Sequence, residues 1–111
     1  MTSSASANDP RGPLPGLGVP DDVTGAIIDI LGTLYKRPNL SPRERELVTL
    51  GAIIALGRIQ PVKVHVQSAL NLGITKEEIY EVILQVGAYA GFAVATDAYF
   101  TTEEVLTGRK S

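Results

Sequence analysis

Two side chains of this sequence have the chemistry to move a proton near neutral pH, the imidazole of His65 and the carboxylate of Glu46. His65 is the only histidine of the chain, and a free imidazole titrates at about pH 6.5. It is in helical register with Val62, Val66 and Ala69, so we expect its ring to face an interior. A structural histidine bonded to a backbone carbonyl has the same pattern, so the spacing alone leaves both interpretations open.

Glu46 is the second candidate for proton transfer. It is in register with Leu50 and Ile53, which places it at the border of an apolar helix face. A buried carboxylate needs a partner, and an imidazole is a suitable one. A solvated glutamate on a helix surface is the alternative interpretation.

Four further residues are candidates for binding an anionic substrate. Arg45 and Arg58 carry planar guanidinium groups that match a carboxylate, and Arg58 lies in the turn just ahead of the predicted helix of His65. Gln85 and Tyr89 can donate hydrogen bonds from a later helix. Tyr89 also fits a core position with its hydroxyl satisfied.

Composition excludes several classes of protein and site. The chain has 111 residues, no cysteine, and 10 basic against 12 acidic side chains without a long run of either sign. These features exclude disulfides and thiolate chemistry and argue against nucleic-acid binding. A single histidine and the lack of CxxC or HExxH argue against a metal site. No apolar stretch has the length of a membrane span or the pattern of a leader, so we expect a cytoplasmic protein without a membrane partner.

The apolar pattern predicts an all-α chain of about five helices behind a Pro/Gly/Ser-rich arm at residues 1–20, with one domain at 21–111. The core must be built from Leu, Ile, Val and Ala, and such small subunits commonly bury their remaining apolar faces in a homo-oligomer. The first helix is predicted to start at Asp21 with an apolar stripe of Val23, Ile27, Leu31 and Leu34; the second starts at a capping box, Ser41–Glu44, and ends at Gly57. Pro61 is predicted to open the third helix. The fourth starts at a capping box, Thr75–Glu78, with a buried side of Ile79, Val82, Ile83, Val86 and Tyr89 or Ala90, and the fifth runs from about Phe92 to Leu106 and is stopped by Gly108. Gly87 and Gly91 are expected to permit close approach of another helix.

Several segments of the sequence resemble the carboxymuconolactone decarboxylase family in order and spacing. The segments are 45–57, His65–Gly73, Thr75–Ile79 and Ala88–Phe92. The resemblance implies a fold of the alkylhydroperoxidase D type that assembles into a ring. In the family's peroxidase branch a Glu, a CxxC pair and a His form a proton relay, and the two cysteine positions here hold Arg58 and Pro61. Glu46 and His65 occupy the other two positions, so the chain is predicted not to be a peroxidase.

The resemblance is greatest to the cysteine-free decarboxylase branch, which also carries Ala-Leu-Gly-Arg, here Ala55–Arg58, ahead of a His. It implies a lyase of aromatic-compound catabolism that works without a cofactor and assembles as a homotrimer or homohexamer. The substrate would be a small carboxylated lactone that loses CO2 through an enolate. The Pro/Gly/Ser-rich arm replaces an aromatic helix of the family, which leaves the substrate open. An isomerase, dehydratase or cyclase of a small acid or lactone, and a non-catalytic binding oligomer, remain alternatives.

Overall fold

The computed structural model describes residues 10–11 and 21–108, and the helices among them confirm the all-α prediction. The five helices are α1 (Asp21–Tyr35), α2 (Pro42–Ala55), α3 (Ile59–Asn71), α4 (Lys76–Ala90) and α5 (Phe92–Thr107), and no strand occurs in these two ranges. Apart from residues 10 and 11, the predicted arm at 1–20 lies outside the described residues. The division into arm and domain therefore stays a prediction.

The two predicted capping boxes begin α2 and α4. At α2 the Glu44 backbone N–H donates to Ser41 Oγ at 3.0 Å, and the Ser41 N–H donates to Glu44 Oε1 at 2.7 Å. At α4 the Glu78 N–H donates to Thr75 Oγ1 at 3.1 Å, and the Thr75 N–H donates to Glu78 Oε1 at 2.9 Å. These backbone donors lower the pKa of both carboxyl groups. Each box thus satisfies two helix-end donors and fixes where its helix begins.

The start of α3 differs slightly from the prediction. The helix begins at Ile59 with Arg58 as its N-cap, ahead of Pro61, which we expected to open it. Proline is tolerated there because the first turn of a helix has no internal acceptor for its N–H. The start at Ile59 keeps the turn from α2 short and puts Arg58 directly against the helix of His65.

The core lies among α2, α3, α4 and α5. Its members are fully or almost fully buried aliphatic residues, namely Leu50, Ile54, Val62, Val66, Ala69, Ile74, Ile79, Ile83, Ala95 and Ala98. The interior thus consists of Leu, Ile, Val and Ala, as the composition predicts. Its small side chains let α2 and α3 lie close together, and these two helices carry Glu46 and His65.

The buried face of α1 is not the predicted one. Val23 is 44% exposed, Ile27 37% and Leu34 44%, whereas Ile28 and Tyr35 are buried. The helix carries apolar residues around most of its circumference, so the periodicity did not select one face. Little of α1 packs directly against the other described helices. Its C-terminal residue, Tyr35, is its main buried anchor.

Two further predictions were wrong at the end of α4. Tyr89 is 86% exposed and Ala90 is also exposed, because the buried line of this helix runs Ile79, Ile83, Gly87. Tyr89 is six residues beyond Ile83, which places it well around the helix from that line. Gly91 has a φ of 105° and forms the break before α5 rather than a helix contact. At Gly87 the close approach is real, since a Cβ there would lie 2.6 Å from Cε1 of Phe92.

The lengths and polarity of the helices show whether any of those described could cross a membrane. Each helix in the described part of the chain falls short of the length and apolarity that crossing a bilayer requires.

Removal of the capping side chains should destabilise the fold. We expect Ser41→Ala and Thr75→Ala each to lower the free energy of unfolding by about 1 kcal/mol, since each leaves a helix-end N–H without its acceptor. Urea denaturation measures the change. Thr96→Ala is the matched control, because this exposed threonine only bonds the carbonyl of Phe92 within its own helix. A loss in the control as large as that in the cap variants would contradict the prediction.

Candidate active site

Glu46 and His65 are in direct contact, as the sequence analysis expected. His65 Nδ1 lies 2.7 Å from Glu46 Oε2. The Glu46 side chain is fully buried, and the His65 side chain is 12% exposed. The carboxylate therefore lies inside the protein, while part of the imidazole reaches the surface. Glu46 is therefore buried, whereas the helical register predicted a position at the border of the apolar face of its helix.

The second carboxylate oxygen of Glu46 is held by a tyrosine. Tyr35, at the end of α1, donates its hydroxyl hydrogen to Glu46 Oε1 at 2.9 Å. The same hydroxyl oxygen lies 2.8 Å from Thr49 Oγ1, which can donate to it. Burial raises the pKa of Tyr35, and the neighbouring carboxylate acts in the same direction. Tyr35 therefore remains a hydrogen-bond donor over the physiological pH range.

A cation approaches the same oxygen from the chain ahead of α1. Arg11 Nη1 lies 3.9 Å from Glu46 Oε1, and both side chains are fully buried. The guanidinium carbon of Arg11 also lies 4.4 Å from the centre of the Tyr35 ring, a cation–π distance. Arg11 thus contacts both the carboxylate and the residue that donates to it.

The contacts assign different functions to the two nitrogens of His65. Nδ1 is engaged by Glu46, and a neutral imidazole in this position donates its Nδ1–H to the carboxylate. Nε2 is then the acceptor nitrogen, and no hydrogen bond to it is found among the described residues. A ring fixed by a carboxylate in this way can take a proton at Nε2 and give it up again.

Of the two predicted arginines, one comes directly before Glu46 in the chain and the other lies between Glu46 and His65. Arg45 immediately precedes Glu46 on α2, and its buried Nε has no hydrogen-bond partner in the described ranges. Arg58 is exposed at the N-cap of α3, seven residues before His65. Seven residues correspond to about two helical turns, or about 10 Å along the axis, although the N-cap backbone of Arg58 is itself not helical.

The other two predicted ligand-binding residues are not brought to the Glu46–His65 pair. Gln85 is exposed and lines a groove of about 390 Å³ between α2 and α4, together with Leu47, Gly51 and Val82. Neither Glu46 nor His65 lines this groove. Tyr89 is 86% exposed on the far side of α4. Within one copy of the chain, the substrate contacts predicted for Gln85 and Tyr89 therefore have no geometric support.

Three residues of the site were not predicted from the sequence: Arg11, Tyr35 and Thr49. Arg11 lies in the Pro/Gly/Ser-rich stretch of the sequence, where no periodicity relates it to a helix. Tyr35 and Thr49 have the spacing of ordinary helix residues, and their types carry no distinctive signal. Only the fold places them against Glu46.

Comparison with known proteins identifies the family of this chain. Residues 21–104 match the carboxymuconolactone decarboxylase family. The chain belongs to this family. The match includes Glu46 and His65 and begins after Arg11, so Arg11 lies outside the region that the family match covers.

Two curated decarboxylases are similar to the chain. The 4-carboxymuconolactone decarboxylase of Acinetobacter baylyi is 38% identical over 74 residues, which cover 67% of this chain and 55% of the relative. The nitrosuccinic acid decarboxylase of Metarhizium robertsii is 33% identical over 75 residues, which cover 68% of this chain and 52% of the relative. The chain thus matches about half the length of each relative.

The hydroxyl of Tyr35 can be tested without a substrate. We expect Tyr35→Phe to lower the free energy of unfolding by about 1–3 kcal/mol, because a buried carboxylate oxygen loses its donor. Chemical denaturation measures this loss. Tyr89→Phe removes the same hydroxyl from an exposed ring and should change stability by less than about 0.5 kcal/mol. Equal effects of the two substitutions would show that the Tyr35 hydroxyl does not stabilise the buried carboxylate.

Proposed function

We propose that this protein is a cofactor-independent lyase that removes CO2 from a small carboxylated lactone, with His65 and Glu46 as its acid–base pair. The contact of 2.7 Å between Nδ1 and Oε2 carries the proposal. Membership of a family named for a decarboxylase, and similarity to two decarboxylases, support the reaction class.

Decarboxylation requires a place for the electron pair of the broken bond. The carbon–carbon bond to the carboxylate breaks, CO2 leaves, and the pair passes into the conjugated lactone carbonyl as an enolate. A proton then adds to carbon. Donors near the developing oxyanion accelerate such a step, because they stabilise charge that is absent from the substrate.

His65 carries the proton in this scheme. Nε2 accepts a proton from solvent, and the carboxylate of Glu46 stabilises the imidazolium across the Nδ1–H hydrogen bond. The ring then delivers the Nε2 proton to the carbanion and returns to the neutral state. Glu46 therefore holds the ring orientation and compensates the transient charge.

Arg58 and Arg45 are the proposed partners of the substrate carboxylates. Arg58 is exposed at the N-cap of α3, about two turns ahead of His65, so its guanidinium is accessible to an anion that approaches this end of the helix. The Nε of Arg45 is a donor without a partner among the described residues. Planar guanidinium groups bind carboxylates through paired hydrogen bonds.

The names of the two relatives indicate the class of substrate. One acts on a carboxymuconolactone and the other on nitrosuccinic acid. Carbonyl and nitro groups both accept the electron pair left by CO2. We therefore propose as substrate a small acid whose carboxylate is activated by such a group, with the lactone as the leading case.

Substitution of the pair tests the proposed chemistry. We expect His65→Gln and Glu46→Gln each to lower turnover by about 10²–10⁴-fold, the usual contribution of a positioned acid or base. The assay offers a panel of carboxylated lactones and nitro acids and measures released CO2 and product mass. Gln67→Ala on the same helix is the control and should retain activity.

The same assay separates the alternatives. Release of CO2 that is lost in both pair variants supports the lyase. A product with the same mass as the substrate would indicate an isomerase or cyclase in place of the lyase. A product lighter by one water molecule would indicate a dehydratase. Binding of these acids without turnover would indicate a binding oligomer.

We further propose that the chain self-associates as a homotrimer or homohexamer. Large apolar side chains are exposed on α1 and on α4 and α5: Ile30 at 69%, Leu84 at 59%, Phe92 at 60% and Phe100 at 52%. Exposed apolar surface on so small a domain is typical of a protein–protein interface. A cytoplasmic location stays a prediction from the sequence.

A charge on α1 should weaken this association. We expect Ile30→Asp to shift the protein towards the monomer mass of 11.8 kDa, because a carboxylate would be buried in an apolar interface. Light scattering coupled to size-exclusion chromatography measures the mass. Asn39→Asp adds the same charge in an exposed turn and should leave the oligomer intact. A monomeric wild-type protein would refute the self-association.

A further inference from the structure

The fully buried carboxylate of Glu46 requires a positively charged partner when it is ionised. The described ionisable groups in contact with it are Arg11, Tyr35 and His65. Tyr35 is a neutral donor whose pKa is raised by burial. The compensating positive charge must therefore come from Arg11 or from a protonated His65.

Arg11 is placed to supply that charge. Its side chain is fully buried and lies 3.9 Å from Oε1, the oxygen that does not contact the imidazole. The guanidinium keeps its charge in proteins, so its position beside Oε1 stabilises the ionised form of the carboxylate. With this permanent cation beside it, the carboxylate does not need a protonated imidazole as its positive partner.

We propose that Arg11 is a positioning residue of this site, which keeps Glu46 ionised and His65 neutral with its proton on Nδ1, so that Nε2 is free to accept a proton. Arg11 contacts the carboxylate and not the reacting nitrogen, so it acts through Glu46. The catalytic value of this arrangement rests on the proposed function. The charge state itself is a property of the free protein.

Loss of the Arg11 charge has two chemical outcomes, and both protonate Nε2. If His65 becomes an imidazolium to balance Glu46, both of its nitrogens carry hydrogen. If Glu46 instead takes up a proton on Oε2, since Oε1 already accepts from Tyr35, it donates to Nδ1 and the ring hydrogen moves to Nε2. Without Arg11 the resting imidazole therefore loses its proton-accepting nitrogen in either case.

Nitrogen NMR of the imidazole tests this proposal directly. His65 is the only histidine, so every imidazole signal of a histidine-labelled sample belongs to this site. At neutral pH we expect the wild-type ring to carry its proton on Nδ1. In Arg11→Gln, the ratio of unprotonated to protonated Nε2 should fall at least about tenfold, the equivalent of one pK unit.

Two further variants separate charge from structure. Arg11→Lys keeps the positive charge and should retain the wild-type spectrum. Lys76→Gln removes a charge from the exposed start of α4 and should also leave the spectrum unchanged. An unchanged spectrum in folded Arg11→Gln would overturn the proposal. If that variant fails to fold, a wild-type ring with hydrogen on Nε2 would overturn it equally.

Activity measurements keep the two proposals apart. Arg11→Gln should lower kcat about tenfold with little change in KM, since Arg11 does not hold the substrate. If the spectra of the wild type and of Arg11→Gln are as expected but the wild type turns over none of the acids, the proposed function is rejected and the positioning role of Arg11 is retained. If Arg11→Gln keeps full turnover and the wild-type spectrum, the positioning role of Arg11 is rejected and the proposed function is retained.

Discussion

A carboxylate buried beyond the reach of water is the constraint on which the site depends. An ionised group in this position costs several kcal/mol unless hydrogen bonds and an opposite charge surround it. Glu46 meets this requirement with groups from three other parts of the chain: Arg11, Tyr35 at the end of α1, and His65 on α3. The same contacts that make the burial tolerable also orient the imidazole. Stability and chemistry therefore depend on one set of hydrogen bonds.

Local signals in the sequence predicted most of the fold. The capping boxes at Ser41 and Thr75 act within a single turn, so the starts of α2 and α4 could be read without knowledge of tertiary contacts. The predicted buried face of α1 was wrong because the helix is apolar on several sides. The sequence pattern does not determine which of these sides packs against the rest of the protein. The exposure of Tyr89 has the same origin, since aromatic character alone does not determine which face of α4 is buried.

The candidate site was only partly predictable for a related reason. Glu46 and His65 could be paired because both positions match a known motif, and the structure shows them in contact. Arg11 and Tyr35 carry no such motif, and no local pattern in the sequence relates either of them to Glu46. Hydrogen bonds of this kind follow from the packed arrangement of helices. The functions of the residues stay proposals, because contact establishes proximity and not chemistry.

The small number of contacts between α1 and the other described helices has a consequence for how a single copy of the chain would lose activity on heating. Tyr35 ends this helix and donates to Glu46, yet little else of α1 packs directly against the other described helices. Segments with few tertiary contacts open at a lower free energy than the core. Fraying of α1 would withdraw the phenol from the carboxylate while α2 to α5 remain folded. Thermal inactivation should then precede the cooperative melting of the helical core.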